Sequence, residues 1–329
     1  MKAVHLTRFG GPDVLRLVEL PTPIPGPGEI LVRVRAAGIN FAETLMREDR
    51  YAMTPPLPSI PGVEAAGVIE AFGEEVRGFE IGARVAAPLF AAGLHLGGYA
   101  EYVVIPAEFV VPLPDELSFE EAAALMVQGL TAAYLVKQAA PAGKTVLINA
   151  AAGGVGSLLV QLARQAGAKT IVATASTDTK LDFARSLGAD IGIDYTQADW
   201  ATALDDALGG AGPDIVYESV GGAITMTSLV ALAPLGQMIV YGALNIQQFQ
   251  LGVPELLGLI FKNQSLTGFA LAPLLTPESL RTDLAALFDL VVSGALRVTI
   301  GGSYPLARVA EAHRDLEQRG TMGKLVLQP

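Results

Sequence analysis

Residues 146–163, VLINAAAGGVGSLLVQLA, join an apolar run to a knot of glycines and then to a helical pattern. Within them Ala151, Gly153 and Gly156 have the spacing A-x-G-x-x-G, with Gly154 and Val155 completing the turn. A strand that runs through a glycine turn into a helix is the setting in which backbone amides hold a pyrophosphate. Without a side chain at Gly153 the backbone can approach the anion, and Gly156 lets the helix close on the strand. The unpaired N–H groups of the first helical turn then face the charge. Alanine at the first position fits if its φ is negative.

The end of the next strand bears on which nucleotide is held. NAD enzymes place an acid there to accept the ribose hydroxyls. Here the residues are TASTDTK (174–180), and Ala175 and Ser176 occupy that place. Ser176 can donate a hydrogen bond to a 2′-phosphate and Lys180 supplies a positive charge; Asp178 reads as a cap for the following helix. The pattern predicts NADPH rather than NADH; the alternative reading of Lys180 is a solvated helix lysine.

Other chemistries are narrowed by composition. The 329 residues include no cysteine, and the three histidines, His5, His95 and His313, are far apart in the chain. This removes disulfides, thiolate nucleophiles and cysteine-based zinc sites. A net charge of −11 argues against a nucleic-acid or anionic-membrane surface. Two uncharged runs, 145–163 and 219–254, are interrupted by polar residues, glycine and proline, so they read as buried core rather than membrane spans. No secretory signal is evident at the start, and a soluble cytoplasmic protein is expected.

The elements that must position these residues come in two styles. Up to about residue 119 the chain is rich in Gly and Pro with short alternating runs. In GEILVRVRAAG (28–38), Ile30, Val32 and Val34 share one face and Leu31, Arg33 and Arg35 the other, as in a half-buried strand. EAAGVIEAFG (64–73) and EYVVIPAEFVVPLP (101–114) read alike. At Ser118 a capping box with Glu121 opens a long apolar helix. Strands and helices then alternate: KTVLINA, a helix from Val155, KTIVATA, DTKLDFARSLG, DIVYESV and GQMIVYGA. Alternation of this kind predicts a parallel sheet with crossover helices. After about residue 265 the rhythm loosens into a helix over 277–293, a short helix opening at Pro305, and a final strand, GKLVLQP. The strand GQMIVYGAL is expected near an exposed sheet edge. A bare edge there, with the apolar VPELLGLIF beyond it, predicts a homodimer.

With these motifs in view, the chain resembles the medium-chain dehydrogenase/reductase superfamily. The likeness is to its zinc-independent quinone oxidoreductase branch, which includes ζ-crystallin-like enzymes. It runs through MKAVHLTRFGGPDVL, PGPGEILVRVRAAGINFAE, PSIPGVEAAGVI, GGYAEYVVIP, AAALMVQGLTAAYLV, AAAGGVG, VYESVGG, YGAL and AHRDLEQRGTMGKLVL. It implies an α/β protein: a GroES-like β-barrel catalytic domain from 1–120 and 265–329, and a Rossmann doubly wound parallel-sheet domain over 121–264. Zinc-dependent relatives carry Gly-His-Glu where GVE (62–64) stands, so Val63 replaces a ligand while Glu64 remains.

The implied reaction is hydride transfer from NADPH to a quinone or an α,β-unsaturated carbonyl, without zinc. By the same resemblance Asn40, Tyr51 and Thr131 line the acceptor pocket. Tyr195 and Arg319 join Ser176 and Lys180 at the 2′-phosphate. Val220, Gly221, Gly242, Ala243, Leu244, Phe269, Ala270 and Leu271 flank the nicotinamide and its ribose. Leu45 stands where relatives can have a pocket tyrosine. The alternative readings are a helix cap for Asn40, packing under the Pro-rich loop for Tyr51, and a bond to a helical carbonyl for Thr131. An enoyl-thioester reductase and a non-catalytic NADPH-binding sensor are the alternative functions.

Overall fold

A computed structural model of the chain describes residues 1–242, 244, 248 and 250–329. These form two compact units, 1–130 with 271–329, and 131–270. The first unit opens with β1 (Lys2–Leu6), β2 (Leu15–Glu19), β3 (Glu29–Ile39), α1 (Phe41–Arg47), β4 (Ala65–Phe72), β5 (Arg84–Ala87), β6 (Tyr102–Pro106), β7 (Val111–Pro112) and α2 (Phe119–Ala124). A π-helical turn, Leu125–Gly129, leads into α3 (Leu130–Ala139). The second unit continues with β8 (Thr145–Ile148), α4 (Gly154–Gln165), β9 (Thr170–Ala175), α5 (Asp178–Ser186), β10 (Ile191–Asp194) and α6 (Trp200–Leu208). It closes with β11 (Ile215–Glu218), α7 (Gly222–Ala231), β12 (Gln237–Val240), α8 (Val253–Lys262) and β13 (Ser265–Gly268). The chain then returns to the first unit with α9 (Pro277–Val292), β14 (Ile300–Pro305), α10 (Val309–Glu317) and β15 (Lys324–Gln328).

In the first unit β3 is the spine. It pairs antiparallel with β4 on one side, and on the other with β6 through its first half and β15 through its last residues. The alternation expected of β3 holds at Val32–Arg35, where the two arginines face solvent. It lapses from Ala36 onward, where every residue is buried and α2 packs against the strand. That packing also moves the unit boundary: α2 and the π-turn belong with the first unit, past the break expected at residue 120. Ser118 caps α2 as its spacing predicts, with Glu121 donating its backbone N–H to Oγ and returning its carboxylate to the Ser118 N–H.

The second unit is one parallel sheet in the order β10-β9-β8-β11-β12-β13. In chain order its strands run 3-2-1-4-5-6, which places the reversal of direction between β8 and β11. β13 is the difference from the sequence expectation. Ser265–Gly268 pairs with β12, so Gln237–Val240 lies one strand in from the edge and β13 is the edge itself. Four short residues carry too little pattern to be read as a strand; their pairing with β12 creates it. Among the described residues, no helix is long and apolar enough to cross a membrane.

Candidate active site

The glycine turn follows β8, and α4 begins at Gly154 with Gly153 as its N-cap in extended backbone. No side chain caps this helix. Its first-turn amides are therefore not engaged by a capping side chain. A Cβ at Gly156 would lie 2.4 Å from the Ala150 carbonyl oxygen, which forbids a side chain where α4 crosses β8. The left-handed residue of the turn is Ala150 (φ 52°), and Ala151 lies outside that region and is fully buried. The fit to a dinucleotide pyrophosphate thus rests on an uncapped helix start, a Gly153 whose Cβ would press to 3.2 Å on the Ala150 carbonyl oxygen, and an obligatory Gly156.

The 2′-phosphate candidates come from the neighbouring strands. Ser176 follows β9 and Tyr195 follows β10, and the Tyr195 N–H donates to the Ala175 carbonyl at 3.1 Å. Two residues far apart in sequence therefore share one end of the sheet. Lys180 sits in the first turn of α5, which Thr177, not Asp178, caps through its side chain. Asp194 lies directly across from Ala175. Its carboxylate is turned to the Thr196 amide and hydroxyl and to Gln197, which hold it below the usual range, Thr196 foremost. Arg319 belongs to the first unit, in the left-handed residue after α10 (φ 56°).

The remaining cofactor candidates follow β11, β12 and β13 in the chain. Gly242 follows β12 so closely under Ser219 that a Cβ there would approach the Ser219 Cβ to 2.5 Å. Leu244 donates its N–H to the Ser219 carbonyl, and Phe269 to that of Val240. Gly221 takes φ 85° just before α7. Ala243 lies outside the described residues. Ala270 is exposed, and Leu271 is buried in the first unit.

Asn40 does not sit free. Its Nδ2 donates to Glu64 Oε1 (2.8 Å) and its Oδ1 accepts from Lys324 Nζ (2.7 Å). Lys324 and Glu64 form an ion pair at 2.5 Å with side chains 1% and 0% exposed. The other Glu64 oxygen accepts the Val127 N–H at 2.7 Å. That amide lies inside the π-turn, and its diversion to a side chain accompanies the local widening of the helix. Thr131 is 7% exposed, four residues further on. One buried carboxylate therefore holds both the Asn40 amide and the turn that leads to Thr131. Beside it, Gln128 Oε1 is buried without a partner.

A second group lies behind α1. The Glu43 carboxylate accepts the backbone N–H groups of Asn40 and, at 3.1 Å, Val63. Burial pushes it up to about 7, against the pull of Lys324. Tyr51 is 39% exposed, and partial burial followed by the charge of Glu43 raises its phenol above the usual range. This disfavours Tyr51 as an acid and leaves it as a hydrogen-bond donor. Arg47, 1% exposed, bonds the Gly10 carbonyl, Glu317 and His313 Nδ1. Since a guanidinium only donates, Nδ1 is the acceptor and Nε2 carries the proton toward Tyr99, 3.3 Å away. Burial first, and Arg47 second, drive His313 down to about 3. Among the described residues no group of three or more His, Cys, Asp or Glu is disposed to hold a metal.

Sequence reasoning missed Glu43 and Lys324. Their signal was available only as a charged residue within α1 and another at the start of β15. Nothing local said that they would be buried.

An uncapped helix start at the carboxyl end of a 3-2-1-4-5-6 sheet defines a doubly wound fold of the dinucleotide-binding class. Residues 26–115 match the alcohol dehydrogenase GroES-like domain model, and residues 187–327 the zinc-binding dehydrogenase model. The quinone oxidoreductase of Pseudomonas aeruginosa is 38% identical, with 100% of this chain and 99% of that protein covered. A 2-haloacrylate reductase from a Burkholderia species is 36% identical over 99% and 98%. The structure of Escherichia coli quinone oxidoreductase complexed with NADPH superposes with a TM-score of 0.91 at 34% identity, covering all of both chains. The chain belongs to the medium-chain dehydrogenase/reductase superfamily, in its quinone oxidoreductase branch.

Proposed function

We propose that this chain uses NADPH to reduce quinones or α,β-unsaturated carbonyls, without a metal. The observation that carries the reading is the uncapped start of α4 beside a β9 end that offers Ser176 and Lys180 in place of an acid. The first-turn amides of α4 receive the pyrophosphate, and Ser176, Lys180, Tyr195 and Arg319 the 2′-phosphate. Val220, Gly221, Gly242, Ala243, Leu244, Phe269, Ala270 and Leu271 flank the nicotinamide end. NADPH supplies the hydride. Asn40, Thr131 and Tyr51 align the acceptor, which spreads the developing charge over its own conjugated system. Lys324 and Glu64 fix the rotamer of the Asn40 amide.

Titration of both cofactors tests the reading: NADPH should bind at least tenfold tighter than NADH, about 1.4 kcal/mol. Equal affinity would overturn it. A screen of NADPH oxidation with quinones, enals, enones, haloacrylates and enoyl thioesters identifies the acceptor; the haloacrylate-reducing relative favours including conjugated acids. Exhaustive chelation should leave turnover unchanged. Tight NADPH binding with no turnover on any acceptor would make the chain a sensor. The same reading places the protein in the cytoplasm as a homodimer. Its partner surface is the β13 edge with α8, where Val253, Ile260 and Phe261 are 67%, 66% and 80% exposed. A monomer mass at micromolar concentration would refute the dimer.

A further inference from the structure

At the carboxyl ends of β8, β9 and β11 the second unit buries a polar cluster with no positive charge in it. Asn149, Thr174, Glu218 and Ser228 are 0% exposed and Thr225 is 1% exposed. Glu218 Oε1 accepts from the Val220 N–H (2.6 Å), the Gly221 N–H (2.7 Å) and the Thr225 hydroxyl (2.8 Å). Its Oε2 accepts from Asn149 Nδ2, which also donates to Ser228 Oγ (2.9 Å). Asn149 Oδ1 in turn accepts from the Thr174 hydroxyl at 2.7 Å. Every partner of Glu218 acts as a donor, which is the arrangement that suits an ionised carboxylate.

What is absent is a counter-ion. Among the described residues no Lys or Arg pairs with Glu218, and its charge is held by amides, a hydroxyl and the start of α7. The titratable group beside it is Tyr241, whose phenol burial holds well above its usual range, and so neutral. A carboxylate satisfied only by dipoles keeps its field. A carboxylate in an ion pair largely cancels it.

The field has a direction. Glu218 lies directly beneath the Val220–Gly221 turn, which the proposed function sets against the nicotinamide ribose. Loss of a hydride, with its two electrons, converts the neutral dihydronicotinamide ring into a cation. We propose that Glu218 is an electrostatic bias that stabilises the oxidised, cationic dinucleotide relative to the reduced, neutral one. The bound cofactor is thereby a stronger hydride donor than the free one. The inference rests on the NADPH reading and goes beyond it, because a loop-holding residue would favour neither redox form.

The test is the ratio of dissociation constants for NADP⁺ and NADPH, measured by equilibrium titration. Glu218→Gln keeps the shape and removes the charge, and should weaken NADP⁺ relative to NADPH by about tenfold, the scale of a unit charge acting inside a protein. Because the new amide would face the Asn149 donor, the double variant Glu218→Gln/Asn149→Ser supplies a hydroxyl that can accept. It should show the same change of ratio. Glu218→Asp keeps the charge: it should weaken both forms and hold the ratio within twofold. If the neutral variants weaken both forms by one common factor, Glu218 merely holds the turn and the inference fails, with the NADPH reading intact. If the unaltered protein binds neither form, that reading fails and takes this one with it.

Discussion

In the first unit Glu64 is fully buried against Lys324; in the second Glu218 is equally buried against neutral donors alone. Both carboxylates hold a backbone segment in an irregular shape, Glu64 the π-turn through Val127 and Glu218 the Val220–Gly221 turn. The two solutions have different consequences. An ion pair locks its neighbours in place and hides its charge, and here it fixes the Asn40 amide at both ends. A dipole-held carboxylate locks its neighbours too, but leaves a field that a nearby ligand can feel. The first is fragile to loss of either partner, and the second loses its donors one at a time.

The largest effect should come from breaking the pair. Lys324→Met strands Glu64 in the core and should cost about 3–5 kcal/mol in chemical unfolding. Adding Glu64→Gln should recover a large part of that loss. If the single variant costs less than about 1 kcal/mol, the ion pair is not holding the unit together.

Next in size is the pH dependence of the same unit. Glu43 is raised from 4.5 to about 7, so its contribution is present below about pH 4.5 and is lost as pH rises through 7. The shift corresponds to roughly 3 kcal/mol. His313 works in the opposite sense: depressed from 6.5 to about 3, it contributes above pH 6.5 and loses that contribution as pH falls toward 3. Glu43→Gln should flatten the stability profile between pH 4.5 and 8 and leave its acid limb unchanged. An unaltered slope would show that Glu43 titrates normally.

Asn40→Ala removes the amide between Lys324 and Glu64 and leaves the glycine cradle alone. It should lower kcat/KM ten- to a hundredfold, about 1.4–2.7 kcal/mol, with the NADPH dissociation constant unchanged. Full activity on the best acceptor would remove Asn40 from the pocket. The smallest effect belongs to Thr225→Val, which takes one of the neutral donors from Glu218. A loss of about 1 kcal/mol in unfolding is expected, with both redox forms of the cofactor weakened alike. A loss as large as that of Lys324→Met would erase the distinction between the two clusters.

Much of the scaffold was legible because its signals are local. The capping box at Ser118, the alternation of strand and helix, and the A-x-G-x-x-G turn each lie within a few residues, where backbone sterics and period decide the outcome. Elements without local contrast were harder to see. β13 has only four residues, and the π-turn sits inside an unbroken apolar run. Of the candidate site, Ser176 and Gly153 can be picked out as residue types in the chain, whereas Asn40 was pointed to by family resemblance alone, and neither route showed that its amide is already occupied at both ends.

The sequence by itself determined the strand–glycine turn–helix at Gly153, the lack of cysteine ligands and the missing acid at Ala175, because each is a matter of which atoms the chain contains and how closely they are spaced. Tertiary structure decided which charges are paired. Lys324 and Glu64 are 260 residues apart, and Asn149 and Glu218 are 69 apart. Whether a buried carboxylate meets a cation or only amides depends on which strand ends the sheets bring together, and the energy of a charge in a low-dielectric interior depends on that meeting far more than on its neighbours in sequence.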